Sequence, residues 1–383
     1  MSATTRTTEC TATMGTLFLA FELGSTTWTL GFTTAPAQRP RIRKIPARDL
    51  TAVLREIAAA KVRFHLAPEA PVRSCYEAGR DGFWPHRWLA RQRITNDVVD
   101  SSSIEVPRAQ RRAKTDRLDV TKLLSLLLRA ASGEHKVWSV VQVPSVEAED
   151  ARQLVREIES VQAAWTAQRN RMQGLLAAHG AVVPLTRGFL DRLADAQTGD
   201  GRPLPAGLRA RLAREWAFYQ VLEARREALA AERVRLLAEE QTRVAEVARR
   251  LAELRGIGDT SAVLFSAELF GTRTFNNGRE IGALSGYAPV PYRSDRSVAD
   301  QGISRRGRAA LRRVGTQVAW CWIRWQRKSA LTQWFHARFA TAGKRARRVG
   351  IVAVARKLLI ALWRYSAHGV IPDGAELKAV SGA

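Results

Sequence analysis

The chain has 383 residues, enough for two or three domains, and 46% of them are apolar, enough for ordinary cores. It carries nine Lys and 52 Arg against 36 acidic residues, a net charge of +25 that is out of place in a small-molecule kinase and points to nucleic acid, because guanidinium forks match phosphate oxygens. Cys10, Cys75 and Cys321 lie far apart with no CxxC pair, which speaks against a zinc site or disulfide framework and suits a reducing cytoplasm; no apolar run reaches the about 18 residues of a membrane span, and the start lacks the apolar core of a signal peptide.

Residues 1–14 are polar and Thr-rich, the composition of a disordered tail. Thr16 to Glu22 follows as a short strand ending on an acid. Gly24-Ser25 is a turn, Thr27 to Phe32 a second strand, and Arg41 to Ile45 a third, together a meander. Asp49 to Ala60 is helical. Val72 to Tyr76 is a strand that runs into Glu77, Phe83 to Gln92 is helical, and Asn96 to Val106 is a strand or loop. An apolar helical stretch, Val120 to Ala131, then opens on Lys114-Thr115-Asp116-Arg117-Leu118-Asp119. Alternating strands and helices predict an α/β domain over 15–145.

From 146 to 255 the chain reads as a helical arm. Val146 to His179 is one long polar helix, and 181–207 is a Gly/Pro-rich loop or insertion. Leu208 to Leu254 is helical again, with Leu222, Leu229 and Leu236, then Leu237, Val244 and Leu251, at heptad spacing, as in a coiled-coil hairpin or an ordinary amphipathic bundle. Residues 256–383 are mostly helical, with basic runs at 305–308, 312–313 and 344–348. Trp320, Trp322, Trp325, Trp334 and Trp363 sit at helical spacings that suit core positions better than base stacking. No internal repeat is present.

Three constellations carry chemistry. Glu22 and Glu77 end strands, and Asp116 and Asp119, three apart on a helix, share a face; an RNase H-like domain gathers Mg²⁺ ligands from such positions, although each acid alone also reads as solvated surface. Gly256-Ile257-Gly258 before a helix reads either as a helix-hairpin-helix contact to a phosphate backbone or as a plain helix-entry turn. Ser285-Gly286-Tyr287-Ala288-Pro289, Tyr292-Arg293-Ser294-Asp295-Arg296-Ser297 and Gly302-Ile303-Ser304-Arg305-Arg306-Gly307 form a loop in which a serine between arginines could attack phosphorus; from local sequence alone Ser294, Ser297 and Ser304 read more readily as loop and N-cap residues.

The segment Cys75-Tyr76-Glu77-Ala78-Gly79-Arg80-Asp81-Gly82-Phe83-Trp84, the Lys114–Asp119 run, Gly256-Ile257-Gly258, the Ser285–Pro289 segment and the Gly302–Gly307 segment, in this order, resemble the DEDD transposases of the insertion-sequence 110/1111 family, the RNA-guided bridge recombinases, over about residues 16–365. The resemblance implies a RuvC-like, RNase H-fold N-terminal domain, a coiled-coil arm and a mostly α C-terminal transposase domain. It implies that Glu22, Glu77, Asp116 and Asp119 hold one or two Mg²⁺ ions, with Mn²⁺ as a substitute. Ser294 is then the nucleophile and Ser297 the reserve, and Lys114, Arg117, Gly256, Gly258, Arg293, Arg296, Arg305 and Arg306 contact nucleic acid. It also implies donor and target double-stranded DNA, a structured non-coding guide RNA, a homo-oligomer (dimer or tetramer) with active-site halves meeting between subunits, and a cytoplasmic, nucleoid-associated location.

Two departures stand out. The family's usual first acid is Asp, whereas here it is Glu22, one methylene longer; and Asp295 stands where the family often has Gly, with Arg293 and Arg296 placed to offset its charge. A catalytically degenerate DNA/RNA-binding derivative or junction-binding protein is therefore the alternative. Glu22-Leu23-Gly24-Ser25-Thr26-Thr27 also resembles the phosphate turn of actin-like ATPases and sugar kinases, but no clear second phosphate loop accompanies it.

Overall fold

The computed structural model describes residues 15–104, 116–294, 297–305 and 307–378. The tail at 1–14 and the expected contact residues Lys114, Arg296 and Arg306 lie outside these. By internal packing the chain divides into two units that join at Pro144 and Ser145, and each is described by itself.

The first unit is a five-stranded mixed sheet: β1 (Leu17–Leu23), β2 (Thr27–Thr33), β3 (Arg41–Pro46), β4 (Val72–Glu77) and β5 (Thr95–Val99), in the order β3-β2-β1-β4-β5. The β1–β2–β3 meander is antiparallel, and β4 and β5 run parallel to β1. The parallel crossovers are the helices α1 (Leu50–Arg63) and α2 (Trp84–Arg91). Asp49 caps α1 by accepting from the Ala52 N–H at 2.9 Å, and a proline in the first turn of α2 costs no hydrogen bond there.

Alternation along the strands builds two cores. Leu17, Leu19 and Phe21 of β1 join Leu30, Phe32, Val53, Ile57 and Leu89 on one face. Ala20, Cys75 and Val99 meet Val120, Leu123, Leu124 and Leu127 on the other, the buried side of α3 (Asp116–Ala131). The sheet is thus covered on both faces, which accounts for the continuous apolar run at the start of β1. Gly31 is where α3 comes closest: a side-chain carbon there would stand 2.2 Å from Val120 Cγ1 and 2.8 Å from Leu124 Cδ1.

The second unit begins with α4 (Val146–Asp150) and α5 (Gln153–Ala177), so the single helix expected over 146–179 is interrupted at Ala151-Arg152. After α6 (Phe189–Ala194), α7 (Ala206–Glu239) returns antiparallel to α5, with Gln168 donating to the Glu215 carboxylate at 2.7 Å and Arg225 pairing with Glu157 nearer the base. The segment read as a loop or insertion over 181–207 holds α6 and packs the end of the hairpin. Phe189, Leu193 and Leu204 close on Met172, Leu212 and Trp216, with the Phe189 and Trp216 rings 4.7 Å apart.

The expected helix over 208–254 also stops early. Thr242 accepts from the Ala245 N–H at 3.2 Å and starts a new helix, α8 (Arg243–Ala252). Val244 and Leu251, read as heptad positions, lie in the C-terminal core rather than along the arm. That core gathers α8, α9 (Asp259–Phe265) with its π-helical continuation Ser266–Phe270, α10 (Gly278–Leu284), α11 (Ala309–Trp325), α12 (Ala330–Phe339) and α13 (Lys344–His368). Of the five tryptophans, Trp322 is fully buried and Trp334 and Trp363 pack at the core edge, but Trp320 and Trp325 are exposed; Arg255 and Arg324 lie over the Trp325 ring. No described helix is long and apolar enough to cross a membrane.

Candidate active site and nucleic-acid interface

Glu22 is the sixth residue of β1 and Glu77 the last of β4. The parallel register runs from Leu17 opposite Val72 to Phe21 opposite Tyr76, so the next residues on the two strands are these two acids, side by side. Glu22 has the parity of Ala20, and Glu77 that of Cys75, which places both half-buried acids on the α3 side of the sheet.

The direction of α3 sets where Asp119 lies. Val120 and Leu124 sit over Gly31, which pairs with Ala20, while Leu128 and Ser132 share a recess with Thr33, which pairs with Phe18. The helix therefore runs back along β1, and its first turn is at the end where β1 and β4 finish. Asp116 and Asp119 are three apart in that turn; Asp116 and Arg117 are described through their backbone alone. Carboxylates there also favour the helix through its dipole, an ordinary structural reason for acids at this place. Among the described residues no three His, Cys, Asp or Glu side chains come together closely enough to hold a metal, so Glu22, Glu77 and Asp119 share one end of the layer without forming a ligand sphere.

Asp97 is an acid that the strand-end pattern missed. It lies opposite Cys75 on β5, with the parity of Val99, and Arg73 holds it at 3.1 Å. Cys75, fully buried, has its thiol pushed well above the usual range by burial first, then by Asp97 and Glu77, against a smaller opposing effect of Arg73.

The expected serine loop is a β-hairpin. β6 (Pro289–Ser294) pairs antiparallel with β7 (Ser297–Ile303), and Ser294 is directly opposite Ser297, with Asp295 and Arg296 outside the described residues. Arg293 and Ser294 are described through their backbone. The flanking motifs build the hairpin root. Tyr287 is buried and donates its hydroxyl to the Arg312 carbonyl at 2.6 Å, with Thr316 Oγ1 at 2.9 Å; Gly315 leaves room, since a side-chain carbon there would stand 2.8 Å from the Tyr287 oxygen. Gly307 has φ +79, and a side-chain carbon would fall 2.0 Å from the Leu284 carbonyl oxygen. Ser304 donates its backbone N–H to Ala288, and exposed Arg305 donates its own to Gly286.

Gly256 has φ +86, and a side-chain carbon would stand 3.3 Å from the Cys321 carbonyl oxygen, so its bareness serves packing on α11. Gly258 caps α9 and meets nothing within 4 Å. The intervening turn is tied down elsewhere: Gln326 donates to the Arg255 carbonyl at 2.8 Å, and Arg255 pairs with Glu376 at 3.1 Å. α13 begins on Lys344, Arg345, Arg347 and Arg348, all exposed, with no acid in its first turn and no described ion pair.

Arg308 and Arg313 belong to the basic runs at 305–308 and 312–313, but their grouping with Arg156 and two glutamates is not evident in the sequence. Arg308 pairs with both Glu159 and Glu268, Arg156 with Glu268 at 3.3 Å, and Arg313 with Glu159 at 3.1 Å. Arg156 lies more than 150 residues before Arg313, so the basic runs alone give no sign of the pairing.

Comparison with known proteins supplies the family context. The family described as "Transposase IS116/IS110/IS902 family" matches residues 248–356, a span that includes the Gly256 turn, the hairpin and the first half of α13. A protein of Sinorhizobium fredii (strain NBRC 101917 / NGR234), which bears the provisional name transposase y4rJ, is 36% identical over 380 residues, covering 95% of each chain.

Proposed function

The chain belongs to the IS116/IS110/IS902 transposase family, and from that premise we propose that it is the DNA strand-exchange enzyme of an insertion sequence, joining donor to target DNA through a serine–DNA link. The observation that carries this reading is the in-register placement of Glu22 and Glu77 on the α3 side of the sheet, at the end where α3 starts with Asp116 and Asp119. The strand order β3-β2-β1-β4-β5, with an antiparallel meander and two parallel strands, supports an RNase H-like, RuvC-type unit.

In this reading Glu22, Glu77, Asp116 and Asp119 hold one or two Mg²⁺ ions, or Mn²⁺ in their place. The four donors are all carboxylates, and oxygen ligands suit a hard cation. When bound, Mg²⁺ supplies charge neutralisation at the phosphate and orientation of the attacking and leaving oxygens.

Ser294 Oγ attacks the phosphodiester: a Ser–O–P bond forms, one bridging P–O bond breaks, and the released sugar hydroxyl takes the serine proton. Rejoining reverses the step with a hydroxyl of the second strand, and the proton returns to Ser294. Bond for bond the exchange is neutral, so no nucleotide hydrolysis is required. Arg293, Arg296, Arg305 and Arg306 offset the charge of Asp295 and of the phosphate. A structured RNA pairs with both DNAs and reads their sequence, while Lys114, Arg117 and the Gly256–Gly258 turn contact backbone. The protein acts as a homo-oligomer.

The test is strand exchange in vitro with element ends, target DNA, the flanking non-coding transcript and Mg²⁺. Asp119→Ala is expected to lose recombination while retaining RNA binding; wild-type recombination by that variant would sink the metal assignment.

A further inference from the structure

Five arginines crowd the base of the arm, and the acids among them are too few. Arg152 precedes α5 and Arg156 lies one turn inside it; Arg273 follows the π-helical turn; Arg308 caps α11 and Arg313 lies early in that helix. Glu268 takes Arg156 and Arg308, and Glu159 takes Arg308 and Arg313. Arg152 and Arg273 are left with no described carboxylate at ion-pair distance, although Glu149 is near enough to act on Arg152.

Arg152 is only 3% exposed, and the groups it donates to are neutral: the Ala267 carbonyl and the Thr272 hydroxyl, each at 3.3 Å. The Arg273 Nε is enclosed without a partner. Burial, followed by the charges of Arg273 and Arg156, lowers Arg152 to about 10, and burial, followed by Arg156, lowers Arg273. Cations buried beside cations are costly unless an anion joins them. Arg156 and Arg313 are half open to solvent, which gives the cluster a wet side where one can enter.

We propose that Arg152, Arg156, Arg273, Arg308 and Arg313 form a binding site for backbone phosphates of duplex DNA, with Glu159 and Glu268 holding the Arg308 and Arg156 forks in place. The proposal rests on the transposase reading and adds a site to it. Duplex DNA is the favoured polyanion because β7, the second strand of the serine hairpin, ends at Ile303, a few residues before Arg308. A strand engaged by that hairpin would next meet these guanidinium groups, which accept phosphate in bidentate fashion.

The test uses the full chain with Arg156→Gln, Arg273→Gln and both together; Arg152 is left intact because it packs the root of the arm. Binding to a fluorescent mixed-sequence duplex is followed by anisotropy over a salt series, with circular dichroism and thermal midpoint as folding checks. Affinity is expected to fall about tenfold in the double variant, and the slope of log K against log salt to shrink by about one for each phosphate no longer neutralised. Folded variants with unchanged affinity and slope overturn the proposal, as does a lowered midpoint with an unchanged slope, the mark of a purely structural cluster. Loss of binding to a structured RNA with duplex binding intact overturns the DNA assignment. If the wild-type chain binds no duplex, the transposase reading fails with it; if wild type and variants bind and recombine alike, only this site fails.

Discussion

Ser294 and Ser297 are partners across the β6–β7 hairpin, the last residue of one strand against the first of the next. Register alone therefore gives both serines the tip, and the choice of Ser294 rests on its place after Tyr292-Arg293. Ser294→Ala is expected to lose the denaturation-resistant protein–DNA adduct and to lower recombination by a factor on the order of 10³ or more. Ser297→Ala should keep the adduct on a denaturing gel. An adduct that survives in the first variant and vanishes in the second moves the role to Ser297.

Glu22 and Glu77 are adjacent positions on parallel strands, so their effects should couple through one cation. Glu77→Gln is expected to lower strand exchange on the order of 10²-fold or more at fixed Mg²⁺. Glu22→Asp keeps a carboxylate but retracts it by one methylene. A raised Mg²⁺ requirement in that variant is the expected result if the site is built for Glu, and an unchanged Mg²⁺ titration would show that residue 22 does not contact the ion.

Gly31 separates β2 from α3 by nothing but backbone. Gly31→Ala should push Val120 and Leu124 outward and cost about 1–3 kcal/mol, read as a lower urea midpoint. Because α3 carries Asp119 at its start, strand exchange should fall beyond what the reduced stability explains at temperatures where the variant is folded. Full activity with wild-type stability would mean that α3 is free to ride higher on the sheet.

Cys75 is buried with its thiol pushed above the usual range, burial being the main cause, while Cys321 is exposed. In a Cys10→Ser background, iodoacetamide at neutral pH should label one thiol in the folded protein and two after unfolding, with peptide mapping placing the first at Cys321. Raising the pH should leave Cys75 silent, since the thiolate is the reactive form and burial disfavours it there. Fast native labelling of Cys75 would contradict its place under α3.

The sheet is legible in the sequence where hydrophobic alternation and turn residues agree. Thr16–Glu22, Thr27–Phe32 and Val72–Tyr76 match β1, β2 and β4 within a residue or so, and the β3 and α1 stretches are equally plain. Pairing is less accessible, because strand order depends on contacts distant in sequence; the adjacency of Glu22 and Glu77 emerges only in the register. Reading 208–254 as one helix fails since heptad spacing does not say which partner a leucine meets, and Thr242 supplies a competing cap. The Gly/Pro density that suggests a loop at 285–307 marks the hairpin's two ends, with Gly286, Gly302 and Gly307 all at positive φ. Gly256 shows the same limit: the Gly-x-Gly pattern announces a close backbone approach, but its described neighbour is α11.

The opening of α13 sets four cations on the positive end of a helix dipole, with no acid in that turn to offset them. The free chain therefore folds against part of its own field, and simple salt, by screening that field, should raise its thermal midpoint. Once a polyanion lies on this surface the same salt competes with it and strips it away. Ionic strength thus acts with opposite sign on the empty and the loaded protein, and a buffer chosen to preserve the one is a buffer that dismantles the other.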